Sequence, residues 1–399
     1  MANLSRDHND PSSIRRRFGL GADAPLLDFS SNLNPLGPPT AALEAARAAV
    51  DRVGIRADRD CPRLVDRIAE EHGVPADRVI VGAGASELIG LIGQSLREVL
   101  ALHAQSLGDP GRALSHQVDP TDAAYRRVAR LNEMRAQVWG THVLGWAQDV
   151  LPRGAAGIFW TGHPNNPTGR AWDRATLEAF VAESLALLTV VDETSLPFLA
   201  DAADRTLIPV AAERENVMVL RSFTRAFALP GLRVGYAIAP PDMVTRLRQY
   251  QEAWTVSAPA EAAALAALDD RAYQERTVEL VGREAERLAD RLWDIPGLRP
   301  AWPDRIRPDR APGLANFLLV SLAQTDWTSI QLQEALARRG LLVRECSDFP
   351  GLEVGALLTG PDQLVATQGH LRIGVRMPDD NGRLADALAE LLASGPPIG

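Results

Sequence analysis

Short apolar runs alternate with amphipathic stretches along most of this chain, and that alternation constrains the fold more than any other feature. Val79-Ile80-Val81, Ile158–Thr161, Thr189–Val191, Val217–Leu220 and Val234–Ile238 each read as a short buried strand. Helical segments lie among them: Pro39–Val50, Pro62–His72, Ala85 to about Leu102, and Asp173–Leu187 with Asp173 as a candidate N-cap. Strands joined through helices pair in parallel, so the expected class is α/β with a mostly parallel sheet.

A helical tract from about Pro241 to Leu292 follows. Asn316–Leu322 and Leu371–Val375 read as strands of a second unit, with helices near Ser329–Arg339 and Asn381–Leu392. Pro296–Pro312 and Pro350–Gly369 read as loops. The predicted division is a large unit over 41–250 and a smaller α/β unit built from 1–40 and 251–399. A chain of 399 residues that is 46% hydrophobic can bury cores of that size.

Composition removes several function classes. A net charge of −9 leaves no basic footprint for nucleic acid. No apolar run reaches membrane-spanning length, and the charged N-terminus lacks the apolar stretch of a secretion signal. Cys61 and Cys346 stand far apart and read as free thiols, which places the protein in the cytoplasm. None of the seven histidines falls in a metal-ligating spacing, so no metal is expected.

Four loop motifs carry the chemistry. In VIVGAGASE (79–87) a strand runs through a glycine turn into a helix start, which makes an anion cup from backbone N–H groups and the helix dipole. A dinucleotide fingerprint would need glycine at 87, where Glu87 stands. GHPNNPTG (162–169) is a rigid loop after a strand. VVDETSLPF (190–198) ends a strand on Asp192, at the edge where α/β sheets bind ligands. LRSFTRAFALPGLRVGY (220–236) offers Ser222, Thr224 and Arg233 as phosphate donors. Each alone is compatible with a plain turn or cap. Their order and spacing are far more specific.

Taken together the motifs resemble the class I and II aminotransferases, enzymes of the fold-type-I pyridoxal-phosphate (PLP) group, over about residues 26–394. DFSSNLNPLGPP (28–39), AWTVSAPAEAAALAAL (253–268), RGLLVRECSDFPGL (339–352) and LRIGVR (371–376) are most similar to the branch of histidinol-phosphate aminotransferase and threonine-phosphate decarboxylase. The resemblance implies a large domain with a mixed, mostly parallel sheet plus a smaller α/β domain, a homodimer, and a small amino-acid-type substrate. It implies Ala85 and Ser86 at the phosphate cup, completed by Ser222, Thr224 and Arg233. It implies Asn166 at the ring hydroxyl and Asp192 at the pyridine nitrogen, where a carboxylate keeps the ring protonated. Arg372 matches the grip on the substrate carboxylate, and Asn34 lies in a segment that contacts substrate.

The departures are equally specific. Arg225 stands where the family carries its Schiff-base lysine, and the chain contains no lysine: all 42 basic residues are arginine. GC-rich coding bias is the first account of that, ahead of selection against lysine amines or an engineered Arg225. A guanidinium stays protonated and can serve neither as nucleophile nor as base. Asp122 replaces the ring-stacking aromatic, Arg56 a tyrosine that reaches the partner subunit, and Ser195 an aromatic three residues after the aspartate. His163 is the nearest titratable candidate base. Tyr125 and Trp254 read as core.

Three readings stand open. One is an enzyme holding PLP, pyridoxamine phosphate (PMP) or a preformed amino-acid aldimine noncovalently, with Arg225, His163 and Asp192 at the reacting centre. It would act on a phosphorylated or carboxylated amino acid. The second is a PLP-independent enzyme with another anion in the old cup. The third is a non-catalytic partner of an active relative.

Overall fold

The runs Gly157–Gly162, Leu187–Asp192 and Val217–Ser222 are buried along nearly their whole length, as strands covered on both faces must be. The computed structural model describes residues 11–106, 113–139, 156–300, 315–352, 354–360 and 363–396. Its main sheet has seven strands, in the spatial order Val79–Gly82, Gly235–Ile238, Val217–Ser222, Leu187–Asp192, Gly157–Gly162, Leu114–Val118, Arg135–Trp139. Gly235–Ile238 pairs antiparallel with both neighbours, and every other pairing is parallel. The carboxyl ends of six strands and the start of the reversed one therefore share an edge.

Alternation along the strands feeds two cores. Phe159, Val191 and Val219 pack on one face with Phe180 and Ala260, while Ile158, Trp160, Val190 and Leu220 pack on the other with Leu88 and Ile92. The first core also takes in Val256, Ala263, Tyr273 and Val281. The chain thus keeps contributing to this core for about thirty residues beyond 250.

The expected tract Pro241–Leu292 is three helices, Pro241–Tyr250, Ala258–Asp269 and Arg271–Trp293. The breaks have local causes: Ser257 Oγ accepts from Ala260 N–H ahead of Pro259, and Asp270 accepts from Tyr273 N–H.

The smaller unit has a four-stranded antiparallel sheet, Arg344–Glu345, His370–Gly374, Phe317–Ser321 and Arg299–Pro300. Helices Arg271–Trp293, Ser329–Ala337 and Pro378–Ser394 cover it, through Leu288, Leu336, Leu388 and their neighbours. Phe29 joins this core, and Leu27–Asp28 pairs in parallel with Leu341–Leu342. Within 350–369 a loop was expected. Gly355–Gly360 and Gln363–Thr367 instead form an antiparallel hairpin. The expected loop Pro296–Pro312 lies largely outside the described residues, with Arg299–Pro300 a strand. Among the described residues no helix is long and apolar enough to cross a membrane, and no group of three or more His, Cys, Asp or Glu residues could hold a metal.

Candidate functional site

The anion cup forms where the strand Val79–Gly82 turns into the helix Ala85–Ser106. Gly84 takes φ +86°, a conformation costly for any side chain. A Cβ on Gly235 would lie 2.8 Å from Ala85 N, so glycine there lets the helix start rest against the sheet. The Ala85 and Ser86 amides, in the first helical turn, have no intrahelical acceptor. Across the sheet, Ser222 pairs with Gly235 and Gly235 with Gly82. Ser222 Oγ accepts from Thr224 N at 3.1 Å, leaving its own hydrogen to donate. Arg233 is exposed and adopts φ +54°, which turns its guanidinium over Gly84, with Nη2 donating to Ala83 O at 3.4 Å. Ala85, Ser86, Ser222 and Arg233 thus lie around one turn.

Asp192 ends its strand three positions along the sheet from Val79–Gly82. Its Oδ1 accepts from Thr194 N at 3.0 Å and its Oδ2 from Tyr125 OH at 3.1 Å. Tyr125 stacks on Trp160 at 5.5 Å between centroids and is buried, as expected of a core residue. Its hydroxyl makes it a functional neighbour as well, which the sequence reading missed. The available signal was helical spacing, since 125 shares the inward face of Ala123–Leu131 with Val128 and Ala129. Burial raises the Tyr125 pKa well above its ordinary value, and the Asp192 and Asp122 charges add to this. Tyr125 is therefore a proton donor to Asp192 across the accessible pH range.

Arg225 points toward the same space. Its Nη1 donates to Ser195 Oγ at 2.7 Å, so two of the positions singled out in the sequence partner each other. Asn166 bridges two charged groups: its Nδ2 donates to Asp122 Oδ2 at 2.9 Å and its Oδ1 accepts from Arg372 Nη1 at 2.6 Å. Arg372 Nη2 donates to Ser30 O at 2.6 Å, while its Nε is buried without a partner. Burial lowers the Arg372 pKa to about 10, with a smaller push from Arg225, and the group remains a cation at neutral pH.

Three expectations are corrected. His163 is fully buried, Nε2 lying 3.1 Å from Arg205 O while Nδ1 accepts from Trp172 N at 3.1 Å. Both nitrogens are used on backbone and burial lowers its pKa, so it is a packing peg and not a base. Asn34 donates through Nδ2 to Ala226 O and Thr277 Oγ1, both at 2.7 Å, and accepts from Leu36 N. Its Nδ2 hydrogens are spent on Ala226 O and Thr277 Oγ1, so its donors do not face a substrate. Trp254, expected in the core, is 42% exposed, with the Arg56 guanidinium 4.4 Å from its ring centroid.

The residues fit a pyridoxal-phosphate group in part. Donors for a phosphate and an acceptor for a ring N–H are in place, and an orphaned buried guanidinium nitrogen awaits an anion. An amine for covalent attachment is absent.

Comparison with known proteins agrees with this geometry. The family described as aminotransferase class I and II matches residues 24–388. The chain is 32% identical to a histidinol-phosphate aminotransferase of Symbiobacterium thermophilum over 96% of this chain and 94% of that one. It is 30% identical to a threonine-phosphate decarboxylase of Salmonella typhimurium, over 94% and 93%. In fold it is similar to an L-threonine-O-3-phosphate decarboxylase of Porphyromonas gingivalis, with TM-score 0.75, 20% identity and coverage of 92% and 100%. It is equally similar to a Sinorhizobium meliloti histidinol-phosphate aminotransferase solved with pyridoxal-5′-phosphate, with TM-score 0.75, 20% identity and coverage of 96% and 95%.

Proposed function

The chain belongs to the class I and II aminotransferases, and on that premise we propose that it is an enzyme that holds PLP or PMP without a covalent tie and acts on a phosphorylated or carboxylated amino acid. The observation that carries this reading is the pairing of Asp192, still oriented by Tyr125 and Thr194, with an Arg225 whose guanidinium is retained by Ser195. Selection for a cofactor-free scaffold would have no use for the first, and a covalent cofactor could not form with the second. When bound, the pyridine ring supplies an electron sink for charge developing at the substrate α-carbon. Asp192 would hold the ring-nitrogen proton, the Ala85–Ser86 turn with Ser222, Thr224 and Arg233 the phosphate, and Arg372 the substrate carboxylate.

Two relatives that carry a phosphorylated compound in their names support the phosphorylated class. Exposed Val50, Val53 and Ile55 support a homodimer as the working unit, and two buried free thiols support a cytoplasmic setting. A second reading, another anion in place of PLP, is favoured only by the proximity of Arg225 to Arg372, two cations facing one space.

The test is visible absorption during titration with PLP, repeated after borohydride. A saturable band that borohydride does not fix to the chain is the expected result. No band at concentrations that saturate ordinary relatives would overturn this reading in favour of the second.

A further inference from the structure

Asp122, Asn166 and Arg372 form a line of opposite charges joined by a single amide. Asp122 caps the helix Ala123–Leu131 with Oδ1, which accepts from Ala124 N at 2.9 Å. Capping needs one oxygen, and serine or asparagine would supply it. The second oxygen is turned on Asn166, whose orientation is then forced. A carboxylate can only accept and a guanidinium can only donate, so Nδ2 must face Asp122 and Oδ1 must face Arg372.

Both ends retain capacity beyond that bridge. Each Asp122 oxygen accepts one described hydrogen bond where it can take two, and the group is half-buried. Arg372 is 7% exposed and its Nε–H has no partner, an arrangement expensive to leave empty. Asn166 spaces a carboxylate from a guanidinium by the width of one amide group. The ammonium and carboxylate of an α-amino acid are separated by a similarly short span, with the signs reversed. The wider charge set agrees: Arg225 and Arg372 are matched by Asp122 and Asp192, so a net-neutral zwitterionic head meets a balanced space.

The geometry points to a clamp in which Asp122 takes the ammonium and Arg372 the carboxylate of a free α-amino acid, with Asn166 setting the spacing between them. Such a clamp gives a chain without lysine a way to select and orient an amine that it cannot capture covalently. It rests on reading the site as one for an amino-acid substrate, and it deepens that reading by assigning the ammonium a partner.

Three compounds with the same phosphate test it by calorimetry on the full chain without PLP: O-phospho-L-serine, its N-acetyl derivative and O-phosphoethanolamine. The phosphate common to all three cancels from the comparison wherever it binds. The expected result is that each truncated compound binds about tenfold or more weakly than the parent. Asp122→Asn, which keeps a capping oxygen, should weaken the parent by a similar factor and leave the N-acetyl compound within about twofold. Equal binding of all three to the unaltered chain overturns the clamp without any variant having to fold. So does a loss in Asp122→Asn that is the same for parent and N-acetyl compound, or no binding of the parent at millimolar concentration. Because PLP is absent, a failure of cofactor binding in the absorption titration leaves this outcome standing on its own.

Discussion

Two halves of the site are built by different means. The phosphate half is made of backbone: a glycine turn, a helix start and strand ends, with Ser222 and Arg233 added at its rim. The opposite half is made of side chains, Arg225 on Ser195 and Asp122 through Asn166 to Arg372. Backbone amides persist through substitution, because the turn depends on a few glycines and not on the identity of its other residues. A side-chain half can be rewritten one position at a time. On the proposed reading, the backbone half is the part that tolerates substitution and the side-chain half the part that does not.

The sharpest way to break the contrast is Arg225→Lys. The chain has no lysine, so the variant carries a single one, and peptide mass mapping after PLP and borohydride locates any adduct. The expected outcome is a change from no label at 225 to near-stoichiometric label there. A variant that binds PLP but stays unlabelled would mean that position 225 does not face the aldehyde carbon. Next in size is Asp192→Asn, which removes the partner of a protonated ring nitrogen. PLP affinity should fall roughly 100-fold in the spectral titration. An unchanged affinity would leave the phosphate half as the whole of the site.

Acid should unsettle the side-chain half through the strand that carries Arg372. His370 begins that strand, and burial lowers its pKa from 6.5 to about 4, against a weaker backbone hydrogen bond at Leu352. The folded ring stays neutral while the unfolded ring takes up a proton below 6.5. Stability is therefore full above that pH and is lost as the pH falls toward 4, by roughly 3 kcal/mol for this residue. His72, on the large unit, is lowered to about 4 by burial as well, so the whole chain weakens in acid. Denaturant titration of His370→Gln between pH 7 and 4 should show a shallower decline than the unaltered chain, and an identical slope would remove His370 as a cause.

The smallest expected effect is that of Tyr125→Phe, which deletes one hydrogen bond to Asp192 and little packing. Stability should drop by about 1–2 kcal/mol, with PLP affinity several-fold weaker. Weaker PLP binding with unchanged stability would assign Tyr125 to the ligand alone.

Much of this was legible in the chain because its signals are local. Buried apolar runs marked five strands of the main sheet, and four loops marked its working edge. The strand Leu114–Val118 escaped because Ser115, His116 and Gln117 are buried yet polar. They are satisfied by Trp160, the Ala156 carbonyl with Trp139, and Asp119, partners that no local pattern reveals. Arg135–Trp139 escaped as a largely exposed edge strand.

Residue type by itself determined that this chain has no amine to offer at 225 and that a guanidinium stands there. Turn chemistry determined the cup. Only the tertiary structure decided which polar side chains face a ligand, because hydrogen-bonding capacity is finite and its use depends on neighbours distant in sequence. Asn34 spends its donors on the Ala226 carbonyl and the Thr277 hydroxyl and His163 on backbone, whereas Asp122, Asn166 and Arg372 are brought into line across more than two hundred residues with capacity left over.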